Sequence, residues 1–252
     1  MPTMSSNGSP KGSRRSCGGG ANRRDGKNKK PLKNRIAKGI LRANGIQNPG
    51  AEDLMIKHMD RITNLCAETY PGENIKNEAG YQWLARLAIV DVAMELGISS
   101  TSGGSKPQPA EKKFIKEKMP CPNCLQADKL SQFPCDPPFA DIVCERCELV
   151  IEIKALQRKH VDLETNQLLI PMDKRAVELP EIAIPQKNVG VCAHVAGLGW
   201  WFISRDELVA QIKRAKQDRS VTKVEGSNRK QVPVIGERKK TSRKIIILKR
   251  RT

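Results

Sequence analysis

Seven residues between Cys121 and Lys154, in the segment CPNCLQADKLSQFPCDPPFADIVCERCELVIEIK, have the types and spacing of a metal-handling site. Cys121, Cys124, Cys144 and Cys147 read C-x2-C-x19-C-x2-C. Each CxxC turn presents both sulfurs to one point, so the four thiolates can close a tetrahedral zinc site. A zinc ion held by four protein ligands has no open position and acts as a structural staple. Interleaved with the cysteines, Asp141 is followed eleven positions later by Glu152, and Lys154 comes two further on. Two carboxylates are hard ligands suited to Mg²⁺. A lysine beside such an ion can orient or deprotonate a water and stabilise negative charge developing on a phosphate. The cysteine spacing is specific; the Asp, Glu, Lys spacing, taken alone, fits ordinary hairpin charges at least as well.

One hairpin positions all of these residues. Phe139 to Val143 (FADIV) and Glu148 to Lys154 (ELVIEIK) are apolar and β-branched, which suits strands, and the CERC knuckle makes a compact turn between them. A pairing centred between Glu145 and Arg146 predicts Asp141 opposite Val150, with Glu152 as its diagonal neighbour. Side chains alternate along a strand, so Val150, Glu152 and Lys154 share the face that Asp141 looks across, while Ile151 and Ile153 point to a core. The two carboxylates then stand close enough to share a cation, with the Ile153 carbonyl as a further ligand.

CPNC followed by PPFADIVCERCELVIEIK resembles the catalytic domain of the DpnI-type restriction endonucleases, over about residues 115 to 160. Members of that family cut adenine-methylated DNA and carry a four-Cys zinc site inside a PD-(D/E)xK core. The resemblance implies an α+β, restriction-endonuclease-like fold with Asp141, Glu152 and Lys154 in the catalytic places. Asp141 and Glu152 take the Mg²⁺ places, and Cys121, Cys124, Cys144 and Cys147 the zinc places. VGVCAHVAGLGWWFIS (189–204) looks like the next strand pair of such a core. The chain departs from the family's pattern in having a helical region before the zinc site and in showing no winged-helix pattern after the core.

The remaining candidates are weaker. Cys135, in FPCDPP, is a spare thiol or a replacement ligand; His160 and His194 are metal or phosphate contacts or, more often for lone histidines, surface or core residues. Met55, Met59, Ile62 and Cys66 form one helical stripe. A second helix runs from Asn77 to Leu96, and Trp83, Leu84, Leu87, Val90, Ala93 and Met94 line one broad face. Ser204 and Glu207 form a capping box opening a helix through Leu208, Val209 and Ile212. The composition divides the chain into a disordered basic tail (1–33), a helical region (34–98), a Ser, Gly and Pro-rich linker (99–113), a zinc-containing nuclease-like domain (114–217) and a basic C-terminal tail (218–252) with a short strand near 244–249.

Charge points to a polyanionic partner. The 252 residues carry 45 Lys or Arg against 27 Asp or Glu, a net of +18. The excess is at the ends: eleven basic residues against one acid in 1–40, and fifteen against three in 211–252. Such stretches attract phosphate backbones through counterion release without reading sequence, and RRDGKNKKPLKNR also passes for a nuclear localisation signal. With 4% aromatic residues there is no stacking platform for single strands, so duplex DNA is the expected partner. Neither an apolar signal-peptide core nor a membrane-length stretch appears, and eight cysteines without a disulfide framework suit a reducing compartment. The setting expected is intracellular, cytoplasmic in a prokaryote or nuclear in a eukaryotic host. Two function classes follow: an Mg²⁺-dependent endonuclease of restriction type, or a non-catalytic zinc-ribbon nucleic-acid-binding protein with a packaging, regulatory or silencing-suppressor role.

Overall fold

The helices at the start form where apolar residues recur at helical spacing and end at glycine or turn residues. Residues 31–98 and 108–239 are described in the computed structural model. The expectations for residues 1–30, for the linker at 99–107 and for a strand near 244–249 lie outside them. Helices α1 (Leu32–Ala43), α2 (Ala51–Thr69) and α3 (Glu78–Glu95) come first. In α2 the stripe Met55, Met59, Ile62 and Cys66 is buried, as its spacing predicts. In α3 the Asn77 side chain caps the first turn by accepting the Gly80 N–H at 2.8 Å. This helix buries Leu84, Ala85, Leu87, Ala88, Ile89, Val90, Val92 and Ala93, more than one face, because α1 and α2 both pack on it.

Next come α4 (Pro109–Lys116), β1 (Leu130–Gln132), β2 (Ile142–Cys144), β3 (Leu149–Leu156), β4 (Val161–Asp162), β5 (Gln167–Asp173), and the short helices α5 (Lys174–Glu178) and α6 (Pro180–Ala183). The chain continues through β6 (Asn188–Val195), β7 (Gly199–Ser204), α7 (Arg205–Gln217), β8 (Thr222–Lys223), β9 (Arg229–Ile235) and β10 (Glu237–Lys239). The fold is mixed α+β. One sheet has the order β1-β2-β3-β6-β7-β10, with β3 and β6 parallel and the other pairs antiparallel. A smaller antiparallel sheet has the order β4-β5-β9-β8. Leu168, Ile170, Met172, Val232 and Val234 of the small sheet pack with Val191, Ala193, Val195 and Ile203 of the large one, together with Leu208 and Ile212 of α7.

Three sequence expectations change here. Residues 222–223, 229–235 and 237–239 are strands rather than an irregular basic tail: Val232 and Val234 are buried against β5, with half-buried Pro233 between them and exposed Ile235 after them. Their short apolar alternation is masked in the sequence by the surrounding Lys and Arg. Residues 109–113 are the start of α4 rather than linker, since Pro109 at the first helical position and a Gln108–Glu111 capping box open a helix within the Pro-rich run. The helical region is also no separate module. Its apolar core continues into Phe133, Cys135, Ala140 and Val150, and the chain from Pro31 onward forms one compact unit. The capping box at Ser204 and Glu207 opens α7 as expected.

A bulge sits beside the candidate site. Val150 pairs with Asn188 and Glu152 with Val191, so β6 carries one extra residue between these two pairs. Gly190, at φ +143°, absorbs it, and a Cβ there would lie 2.1 Å from the Ile203 carbonyl oxygen. Gly190→Ala is therefore expected to destabilise the protein by about 2–4 kcal/mol, through backbone strain and overpacking, in a denaturant titration.

Candidate metal centre and acidic site

The four cysteines converge. The Sγ atoms of Cys121 and Cys147 lie 3.7 Å apart, those of Cys124 and Cys144 3.5 Å, and all four fall within 4.8 Å of one another. A tetrahedral zinc with bonds of about 2.3 Å needs sulfurs about 3.8 Å apart, so the cage fits a zinc-sized ion. The two knuckles are built alike. The Leu125 N–H donates to the Cys121 carbonyl at 2.9 Å and the Glu148 N–H to the Cys144 carbonyl at 2.8 Å. Leu125 and Glu148, each following the second cysteine of its pair, both take the left-handed conformation, at φ 60° and 55°. Burial pushes the Cys121 thiol up to about 12, so filling the cage with thiolates requires a cation. Among the described residues these four cysteines can hold a metal ion such as zinc.

Cys135 is no fifth ligand. It is buried against the helices with Phe133, in the core that contains Val150. Cys192 of β6 lies in the same core as Cys121 and is 5% exposed, a thiol packed behind the cage.

The knuckle also sets the register of the catalytic candidates. Because its turn needs four residues, Glu145 to Glu148, the hairpin is centred between Arg146 and Cys147, one residue later than expected. Ile142 pairs with Ile151 and Cys144 with Leu149. Val150 pairs with Val143, and Asp141, just before β2, lies beside Ile151 to Ile153, the stretch of β3 that contains Glu152, rather than opposite Val150. The one-residue shift of the centre moves each strand partner by two, and Asp141 is left close enough to Glu152 for the two charges to interact. The Asp141 N–H donates to the Ile151 carbonyl at 3.0 Å, and Asp141 Oδ2 accepts the Ile153 N–H at 2.6 Å.

Glu152, Lys154 and Asp141 interact as a set. Lys154 Nζ pairs with Glu152 Oε1, whereas Glu152 Oε2 is buried and has no hydrogen-bond partner. Glu152 is only 5% exposed. An unpaired buried carboxylate oxygen is costly unless a cation or donor meets it. Burial, and then the Glu152 charge opposite, push the Asp141 carboxyl up to about 8. For Lys154 burial works to lower the pKa, but Glu152 and then Asp141 outweigh it and raise it, so the ammonium stays charged.

Sequence reasoning missed four contributors. Glu111 of α4 is 7% exposed and feels the charges of Glu152, Asp136 and Lys154; desolvation first, then Glu152 and Asp136, raise its pKa. Its position in Gln108-Pro-Ala-Glu111 is a capping-box signal that the linker composition concealed. Asp136, exposed in the FPCDPP loop, acts on Glu111 only through its charge. Phe139 takes the left-handed φ of 60° and places its ring 6.0 Å from Lys154 Nζ. Asn188, buried at the start of β6, holds that loop by donating to the Phe139 carbonyl at 2.6 Å. His160 and His194 are not brought to this site. His160 belongs to a 3-10 turn before β4, and His194 packs its ring 4.8 Å from that of Trp200 on the opposite face of β6 from Ala193, the partner of Lys154.

The Asp141 shift has a measurable consequence. Its pKa of about 8 exceeds the unfolded value of 3.8. Between the two the native state holds a proton that the unfolded state has released. The stability tied to that proton is fully present below about pH 4 and is lost by about pH 8, at up to about 1.4 kcal/mol per pH unit. Unfolding titrations of metal-free protein should show this decline, and Asp141→Asn should flatten it. An unchanged slope in the Asn variant would assign the dependence to another group.

No family model matches the chain, and no curated protein or solved structure matches it either. Among the described residues no helix is long and apolar enough to cross a membrane.

Proposed function

We propose that this protein is an Mg²⁺-dependent endonuclease that hydrolyses phosphodiester bonds in duplex DNA, with a PD-(D/E)xK type of site braced by a structural zinc. The observation that carries this reading is the buried, unpaired Oε2 of Glu152, beside Asp141 and paired through its other oxygen with Lys154. Carboxylate oxygens without donors are what a hard cation needs. Asp141 and Glu152 would hold Mg²⁺, which would neutralise phosphate charge and activate water. The rest is chemistry of this chain. Lys154, kept protonated by the neighbouring carboxylates, is a hydrogen-bond donor that orients the attacking water and stabilises charge on the phosphorane; it is a poor base. Water adds across the P–O bond, leaving a phosphate monoester and a hydroxyl. Phe139 and Asn188 position the loop that presents Asp141, and Glu111 adds negative charge that favours cation capture.

The mixed sheet supports the same reading: a β2–β3 hairpin carrying the acids, followed by β6 running parallel to β3. The alternative, a zinc-ribbon nucleic-acid-binding protein without catalysis, accounts for the cysteines and the basic charge. It leaves the set of Asp141, Glu152 and half-buried Lys154, with Glu111 close enough to feel it, without a purpose. The deciding experiment incubates purified protein with methylated and unmethylated duplexes, and with RNA, in the presence of Mg²⁺ or Mn²⁺. Mg²⁺-dependent cutting of duplex DNA is expected, and absence of cutting on every substrate overturns the enzymatic reading.

A further inference from the structure

The strands that replace the expected tail carry an arrangement of charge that folding alone does not favour. Lys223 of β8 pairs directly with Lys230 of β9, and Arg229 is the adjacent residue. Like charges directly opposite on a strand pair repel. Asp173 faces Arg229 across β5 and β9, yet no ion pair within 4 Å joins them, and Lys223 and Lys230 likewise form none among the described residues. Lys223 and Arg229 are exposed, and Glu225 in the turn is the hairpin's one acid. The Val224 N–H to Arg229 carbonyl bond of 3.0 Å closes the hairpin, with Lys223 and Lys230 side by side on one face and Arg229 exposed at the start of β9 beside them. Such a cluster is relieved by an external anion.

Its location gives that anion an identity. Met172, the β5 partner of Lys230, shares a core with Phe139, whose ring lies beside Lys154. Lys230 is in phase along β9 with the buried Val232 and Val234, which pack with Val191 and Ala193, the β6 partners of Glu152 and Lys154. The hairpin therefore stands at the rim of the acidic site, where a polyanion presenting one phosphate to Asp141 and Glu152 places its neighbouring phosphates. We propose that the β8–β9 hairpin is a phosphate clamp, in which Arg229, Lys223 and Lys230 grip the duplex backbone beside the scissile bond. This rests on the endonuclease reading for the identity of the partner, but binding tests it separately from cutting.

The test measures binding of a fluorescent 20-base-pair duplex in EDTA at several salt concentrations, for wild type and for Lys223→Gln, Arg229→Gln and Lys230→Gln. Each substitution is expected to weaken binding several-fold and to lower the slope of log affinity against log salt by about 0.9. Lys223→Arg and Lys230→Arg should restore the slope, which separates charge from packing. Lys223 is exposed, so its Gln variant tests the idea even if Lys230→Gln folds poorly. Slopes unchanged in Lys223→Gln and Arg229→Gln overturn the clamp, whether or not the protein cuts. Reduced slopes in a protein that never cuts support the clamp while refuting the nuclease.

Discussion

Alanine at Asp141, Glu152 or Lys154 should each reduce Mg²⁺-dependent cutting by at least about a thousandfold, because each removes a charge that acts on the phosphate only in the transition state. Zinc content should not change, since none of the three touches the cage. Binding in EDTA should also persist, because affinity for a backbone comes mainly from basic residues elsewhere. Glu152→Ala is expected to bind somewhat more tightly than wild type without metal, by removing repulsion of the phosphate, whereas Asp141→Ala, whose carboxyl holds a proton at neutral pH in metal-free protein, is not. Lys154→Ala should differ: it leaves Glu152 and Asp141 without their shared cation, and a drop in thermal stability is expected alongside the loss of cutting. Single-turnover cleavage and melting curves on the same preparations separate these outcomes. Retained cutting in all three variants would place the chemistry elsewhere.

Removing the metal of the four-cysteine cage should unfold the hairpin and, with it, the acidic site. Structural zinc of this kind contributes about 10 kcal/mol or more to folding, comparable to the whole net stability of a domain. Cys121→Ser or Cys144→Ser should therefore yield protein that lacks zinc by elemental analysis and has no cooperative unfolding transition. Cys135→Ala is the matched comparison. It removes a buried thiol outside the cage, so it should keep one zinc per chain and cost only a few kcal/mol. Because the cage thiols must lose protons to bind, zinc affinity should fall steeply as the pH is lowered. A Cys144→Ser protein that keeps its melting transition would make the cage dispensable.

How the site came to be partly legible follows from the range of the interactions involved. The two CxxC pairs, the alternation in ELVIEIK and the stripe in α2 are local patterns, and each predicts its own geometry because the chain segment that encodes it also forms it. The hairpin centre moved by one residue, which shifts each partner by two and so keeps the side chains of β3 on their expected sides, and Asp141 still lies near enough to Glu152 for their charges to interact. The composition of 99–113 and 218–252 misled because it averages over few residues. Pro109 and Glu111 begin a helix inside a linker-like run, and Val232 and Val234 are two apolar residues among many lysines and arginines.

From its residue types alone, then, this sequence determines a cage of four thiolates, a hairpin with two acids and a lysine on one face, and helices with buried stripes. Only the tertiary structure decides what surrounds them. It brings Glu111 within reach of the Glu152 and Asp136 charges, anchors the Phe139 loop through Asn188, and pairs Lys223 with Lys230 beside Arg229. Those residues come from segments as far apart as α4 and β9. Their meeting depends on how the helices and the second sheet pack on the large sheet, a global balance of buried surface that no short window of sequence contains.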